Sequence, residues 1–94
     1  MDEATTSDGI TVFGATWCGD TKRSQALLDR LGIEYAFVDV DLSQEASDWV
    51  AAQNGGQRRI PAIVLAPNQP ILIEPSDPEL LAALQEAGYA PAIA

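Results

Sequence analysis

Ile10-Thr11-Val12-Phe13-Gly14-Ala15-Thr16-Trp17-Cys18-Gly19-Asp20-Thr21-Lys22 is the stretch that decides the fold, because an apolar, β-branched run leads through a turn directly into a helical pattern. Ile10 to Ala15 suits a strand buried on both faces. From Gly19 to Leu31 the apolar positions Leu27, Leu28 and Leu31 fall at helical spacing, and Gly32 stands where a helix is commonly ended in the left-handed conformation. The predicted order is strand, turn, helix, with the chain's single cysteine, Cys18, at the turn.

Working outward, Tyr35 to Val40 is again strand-like, and Asp41 and Ser43 precede a segment in which Ala46, Trp49 and Val50 share a helical face. That helix ends near Asn54, Gly55 and Gly56. Ile60 to Leu65 reads as a third strand, with Pro61 near its start, where a missing backbone donor is tolerated. Ala66 to Pro70 reads as a turn and Ile71 to Ile73 as a short fourth strand, giving a hairpin. From Asp77 to Gly88 the residues Leu80, Leu81, Leu84 and Ala87 keep helical spacing, with Pro78 in the first turn and Ser76 or Asp77 as the cap. The order βαβαββα allows parallel pairing in the first half and a hairpin in the second, so the expected fold is α/β: a four-stranded mixed sheet with three helices on its two faces.

Ninety-four residues have room for one domain and one hydrophobic core, so a single domain over 1–94 is expected, with residues 1–8 flexible. An apolar fraction of 47% and a charged fraction of 20% are those of a folding chain. Fourteen acidic against five basic residues give a net charge of −9, which repels phosphate backbones and anionic lipid head groups. Neither nucleic acid nor a membrane surface is an expected partner; the bland use of the acidity is to keep a small protein soluble. The first residues lack the basic and apolar regions of a secretory signal, and no apolar run approaches the ~20 residues needed to span a bilayer. With one cysteine and no histidine, neither an internal disulfide nor a metal site of the usual nitrogen and sulfur type is expected, and the chain reads as cytoplasmic.

Location makes Cys18 a candidate nucleophile. Unpaired backbone N–H groups and the dipole at a helix N-terminus favour a thiolate over a thiol, and the thiolate is the attacking species. Lys22, one turn on, acts in the same sense and Asp20 opposes it. Thr21 reads as a capping or packing residue whose hydroxyl could also donate to the sulfur. A lone cysteine is more often a small buried hydrophobe, but Gly19 and Asp20 at a helix start, and the strand order around them, favour the reactive reading.

Three blocks, Thr16-Trp17-Cys18-Gly19, Asn54-Gly55-Gly56-Gln57-Arg58-Arg59-Ile60-Pro61 and Glu74-Pro75-Ser76-Asp77, resemble the glutaredoxins, and within them the actinobacterial mycoredoxins, from about Ile10 to Gly88. The resemblance implies a thioredoxin fold, Cys18 as the attacking cysteine, and a cis Ile60-Pro61 bond whose backbone faces the sulfur and pairs with a bound small thiol. It also implies that Arg58 and the Ser76-Asp77 turn hold the charged ends of that thiol. Their plainer roles are a solvated arginine and a helix cap. Members with two active-site cysteines carry the second where this chain has Thr21. The monothiol iron–sulfur carriers of the family usually show C-G-F-S, against Cys18-Gly19-Asp20-Thr21 here.

The expected function is that of a monothiol glutaredoxin-like or mycoredoxin-like oxidoreductase. Through Cys18 it reduces mixed disulfides between client proteins and a low-molecular-weight thiol, with Trp17 and Pro61 flanking the sulfur. Mycothiol, glutathione and bacillithiol are the candidate co-substrates, and no metal is expected. A monomer is expected, with a transient Cys18-linked dimer as an oxidised form. The alternatives are a non-catalytic redox sensor or adaptor, and an iron–sulfur cluster carrier built from two chains and two small thiols.

Overall fold

A computed structural model describes residues 9–89, so the expectation that residues 1–8 are flexible lies outside the described residues. The first strand, β1 (Ile10–Gly14), is central. It runs parallel to β2 (Tyr35–Asp39), with Ile10 opposite Tyr35 and Gly14 opposite Asp39, and antiparallel to β3 (Ala62–Val64), with Val12 opposite Ile63. β3 pairs antiparallel with β4 (Leu72–Ile73), and the sheet order is β2-β1-β3-β4. The parallel pair needs a crossover, supplied by α1 (Gly19–Arg30); α2 (Gln44–Ala52) and α3 (Asp77–Glu86) complete the expected order.

Strand alternation divides the core between the two faces of the sheet. Ile10, Val12 and Ile63 pack with Leu27 and Leu28 of α1 and Leu80 and Leu84 of α3. Ala62 joins Ala15, Val40 and Ile60 under Ala46 and Val50 of α2, and Phe13 and the half-buried Cys18 pack against this second cluster. The cysteine thus sits at the end of the α2-side core, where β1 gives way to α1.

Local chemistry sets the element ends. Ser43 caps α2, its hydroxyl accepting the Ala46 N–H at 3.1 Å. Ser76 caps α3 in a reciprocal box: its hydroxyl accepts from the Glu79 N–H at 3.2 Å, and its own N–H donates to Glu79 Oε1 at 2.8 Å. The bond from the Ser76 N–H, with the Ser76 side chain assisting, holds the Glu79 carboxyl below the usual glutamate range. Gly32 follows the end of α1 with φ of +69°, the left-handed conformation expected there.

One sequence expectation is corrected. The ladder of β3 covers Ala62–Val64 rather than Ile60 to Leu65, because Pro61 has no N–H to donate and its cis bond redirects the chain before the strand begins. Leu31 is exposed as the C-cap of α1; the chain turns at Gly32 and Ile33 packs on the core instead. Trp49 is also exposed at its rim, and it meets Phe13 through a tilted ring contact with centroids 4.8 Å apart. No helix among the described residues is long and apolar enough to cross a membrane.

Candidate functional site

Cys18 is the N-cap residue of α1, with extended backbone angles, and its side chain makes no capping hydrogen bond. Its N–H donates to Ala15 O at 3.1 Å, and its carbonyl accepts the first helical bond, from the Lys22 N–H at 3.0 Å. The sulfur is therefore placed beside the first turn of a twelve-residue helix, whose leading N–H groups no Cys18 side-chain bond satisfies. Across the cleft, Cys18 Sγ lies 4.0 Å from the carbonyl oxygen of Ile60, at the outer limit for a weak thiol hydrogen bond. Ile60-Pro61 is cis, and Pro61 is fully buried behind that carbonyl.

Trp17 is 65% exposed beside the cysteine and donates its indole N–H to Asp41 Oδ2 at 2.6 Å. The other carboxylate oxygen, Asp41 Oδ1, stands 3.1 Å from Arg58 Nη1, which also donates to Ser47 Oγ at 3.3 Å. The hydrogen bond from Trp17, helped by Arg58, holds the Asp41 carboxyl below the usual aspartate range. On the opposite flank Arg23 ties α1 to the loop before α3: Nη1 pairs with Asp20 Oδ1 at 2.8 Å and Nη2 donates to Pro75 O at 3.0 Å. Its Nε stands 3.5 Å from Asp77 Oδ1, an ion-pair approach without a hydrogen bond. Arg59 pairs with Glu74 at 3.1 Å, and the Glu74 N–H donates to Pro61 O at 2.8 Å from a left-handed φ of +50°.

The structure brings Trp17, Cys18, Gly19, Asp20, Ile60 and Pro61 around one sulfur-bearing corner, and Arg58 joins them through Asp41. Lys22 is exposed on the first turn of α1. Thr21 is 0% exposed and packed; its hydroxyl has no hydrogen-bond partner among the described residues, so the further bond to the sulfur that the sequence allowed is not made. It packs on Gly14, where an added Cβ would come within 2.5 Å of both Thr21 Cγ2 and Oγ1. Ser76 is engaged in the cap of α3, and Asp77 faces Arg23. Asp20 does not stand as a bare charge opposing a thiolate, since Arg23 covers it.

Arg23, Asp41, Ser47 and Glu74 were not among the sequence candidates. The Asp20–Arg23 pair has a legible signal, opposite charges three apart on a helix. Asp41 stood out only as a candidate cap, and nothing local to the sequence joins it to Trp17 or Arg58. Among the described residues no group of three or more His, Cys, Asp or Glu side chains is arranged to hold a metal ion.

The glutaredoxin family model matches residues 10–68, from the first residue of β1 to the turn after β3, and so takes in Cys18 and Pro61. The chain belongs to the glutaredoxin family. A glutaredoxin-like protein of Mycobacterium tuberculosis is 32% identical over 75 residues, covering 80% of this chain and 88% of that one. Mycoredoxin 1 of Corynebacterium glutamicum is 35% identical over 54 residues, covering 57% of this chain and 66% of its own length. Among solved structures, the glutaredoxin of Archaeoglobus fulgidus superposes with a TM-score of 0.70 at 16% identity, over 86% of this chain and 90% of that one, which shows the shared thioredoxin fold. The buckwheat glutaredoxin–glutathione complex superposes with a TM-score of 0.61 at 25% identity, over 90% of this chain and 84% of that one. Membership in the glutaredoxin family makes thiol–disulfide oxidoreduction the chemistry class of this chain.

Proposed function

We propose that this glutaredoxin-family chain works by a monothiol mechanism on mixed disulfides between client proteins and a low-molecular-weight thiol. The observation that carries the reading is the position of the sole cysteine: half-buried, at the N-terminus of α1, and facing the carbonyl before cis-Pro61. Cys18 as the thiolate attacks the small-thiol sulfur of a protein–S–S–R disulfide. The Cys18–S–S–R bond forms, the protein–S–S–R bond breaks, and the client sulfur leaves as a thiolate that takes up a proton. A second small thiol then attacks Cys18–S–S–R, releasing R–S–S–R and regenerating the Cys18 thiolate. The chain holds no other cysteine to resolve the adduct, so the second thiol comes from outside.

Trp17 and Ile60 bound the approach to the sulfur in this reading, and the Ile60-Pro61 backbone offers polar groups to the bound thiol. The similarity to Mycoredoxin 1 supports mycothiol as the first candidate for R–SH, with glutathione and bacillithiol behind it. The test is turnover of a mixed-disulfide substrate, followed separately with each of the three thiols and a matching disulfide reductase. Sustained turnover with one of them, lost in Cys18→Ser, is the expected result. Absence of turnover with all three, while Cys18 is intact and reduced, would overturn the proposal.

A further inference from the structure

Every arginine flanking Cys18 already has a carboxylate partner: Arg23 has Asp20 and Asp77, Arg59 has Glu74, and Arg58 has Asp41. The last pair differs from the others, because both oxygens of Asp41 are used and the second one holds the residue next to the nucleophile. Oδ2 accepts the Trp17 indole N–H at 2.6 Å while Oδ1 stands 3.1 Å from Arg58. Arg58 in turn lies two residues before Ile60, whose carbonyl faces the sulfur. Asp41 therefore spans the two walls of the mouth, the Trp17 side of α1 and the segment leading to Pro61. We infer that Asp41 is a specificity-determining residue, selecting uncharged, hydroxyl-bearing thiols over thiols that present a carboxylate to Arg58. This rests on the thiol-exchange reading given above.

The physical argument concerns compensation of charge. An anionic ligand group that reaches Arg58 meets a guanidinium whose charge Asp41 already compensates and whose flank carries the Asp41 carboxylate, and on a chain of net charge −9 it also approaches against a repulsive field. Asp39 adds to that field beside Asp41, its carboxylate accepting the Asp41 N–H at 2.9 Å. A hydroxyl group carries no such penalty. A guanidinium has five N–H donors, of which the bonds to Asp41 and Ser47 use Nη1, so neutral oxygens can be received without breaking the Asp41 pair. Lys22, the exposed cation on the first turn of α1, favours the carboxylate-bearing ligand to the same degree in the unaltered chain and in the Asp41 variants, so it does not change the comparison of ratios below.

The test compares the rate at which the full chain, with Cys18 reduced, forms a Cys18 adduct with two disulfides: glutathione disulfide, which carries carboxylates, and bis(2-hydroxyethyl) disulfide, which carries only hydroxyls. Each reaction is an exchange in which Cys18–S–S–R forms and one R–S⁻ leaves. Asp41→Ala is expected to raise the glutathione-to-hydroxyethyl rate ratio about two- to fivefold, the range an exposed ion pair supports. Asp41→Asn, which keeps the side-chain shape, should raise it in the same direction. Asp48→Asn removes one negative charge from α2, where Asp48 accepts from Gln44, and should leave the ratio unchanged. Adding Arg58→Gln to Asp41→Ala should abolish the gain. An unchanged ratio in Asp41→Ala, or a gain that survives Arg58→Gln, overturns the role of Asp41 while leaving exchange at Cys18 standing. Absence of adduct with both disulfides overturns the exchange reading and this inference with it.

Discussion

Cys18 Sγ lies 4.0 Å from the carbonyl oxygen of Ile60, forty-two residues away in the chain. One partner is placed by the junction of β1 and α1, the other by the cis bond that precedes β3. The β1–β3 pairing, with Phe13 opposite Ala62, is what brings the two junctions together. A mouth between a nucleophile and a fixed backbone carbonyl is therefore a product of sheet topology, and substitutions that leave the sheet intact should change chemistry without changing fold.

Cys18→Ser is the first case. The side chain is half-buried against the Ala15, Val40 and Ile60 cluster, so the replacement should cost less than about 1 kcal/mol in chemical denaturation. Adduct formation with any small disulfide should disappear completely in the same variant, read by intact-protein mass.

Gly14→Ala should be destabilising for a purely steric reason. The new Cβ would meet Thr21 Cγ2 and Oγ1 at 2.5 Å, at the last position of the central strand, where Gly14 O also accepts the Val40 N–H at 2.9 Å. Overpacking of this kind costs about 1–3 kcal/mol. Thr21→Ala removes the two colliding atoms and should recover part of that loss, so urea denaturation of the two single variants and the double variant should show non-additivity in the favourable direction.

Ser76→Ala removes the hydroxyl that accepts the Glu79 N–H and should lower stability by about 1 kcal/mol, within a usual range of 0.5–2. The reciprocal bond, from the Ser76 N–H to Glu79, depresses the Glu79 carboxyl in the folded chain. A depressed carboxyl binds its proton less readily in the folded state than in the unfolded one. Its contribution is thus present above the unfolded glutamate value and lost as pH falls through the lower folded one. Glu79→Gln should flatten the acid limb of the stability profile, measured by denaturant midpoints at successive pH values.

Asp41 follows the same sign. Its carboxyl is depressed chiefly by the Trp17 N–H, with Arg58 assisting, so the Trp17–Asp41 bond should persist below the ordinary aspartate range and break only at more acid pH. Trp17 fluorescence, recorded in a Trp49→Phe background to remove the second indole, should show an acid transition that is absent in Asp41→Asn. A transition of the same midpoint in both proteins would contradict the assignment.

Periodicity reached the elements whose residues repeat. Leu27 and Leu28, Leu80 and Leu84, and Ala46 and Val50 are buried on the helices predicted from them, and Gly32 takes the left-handed turn predicted for it. Leu31 and Trp49 fit the same spacing but are exposed, because spacing says which side of a helix a residue occupies and not whether neighbouring chain covers it. At the site, the strand-to-helix turn was legible for Cys18, while the cis bond at Pro61 followed only from family resemblance. The side-chain network was not legible. Trp17–Asp41 and Arg58–Asp41 join residues 24 and 17 positions apart on exposed surface, and Arg23 reaches Pro75 across 52, where no local pattern marks a partner. Thr21 offered several readings by spacing alone; in the structure it is buried by packing against Gly14, and its hydroxyl makes no bond to the sulfur.

The most direct measurement is the intact mass of the reduced protein after exposure to a small-molecule disulfide, then again after addition of the corresponding free thiol. Reversible thiol exchange at Cys18 requires one adduct per chain, located on the peptide containing Cys18 and removed by the free thiol. An unmodified mass under conditions where a model thiol peptide is fully converted, or an adduct that the free thiol cannot release, would contradict it.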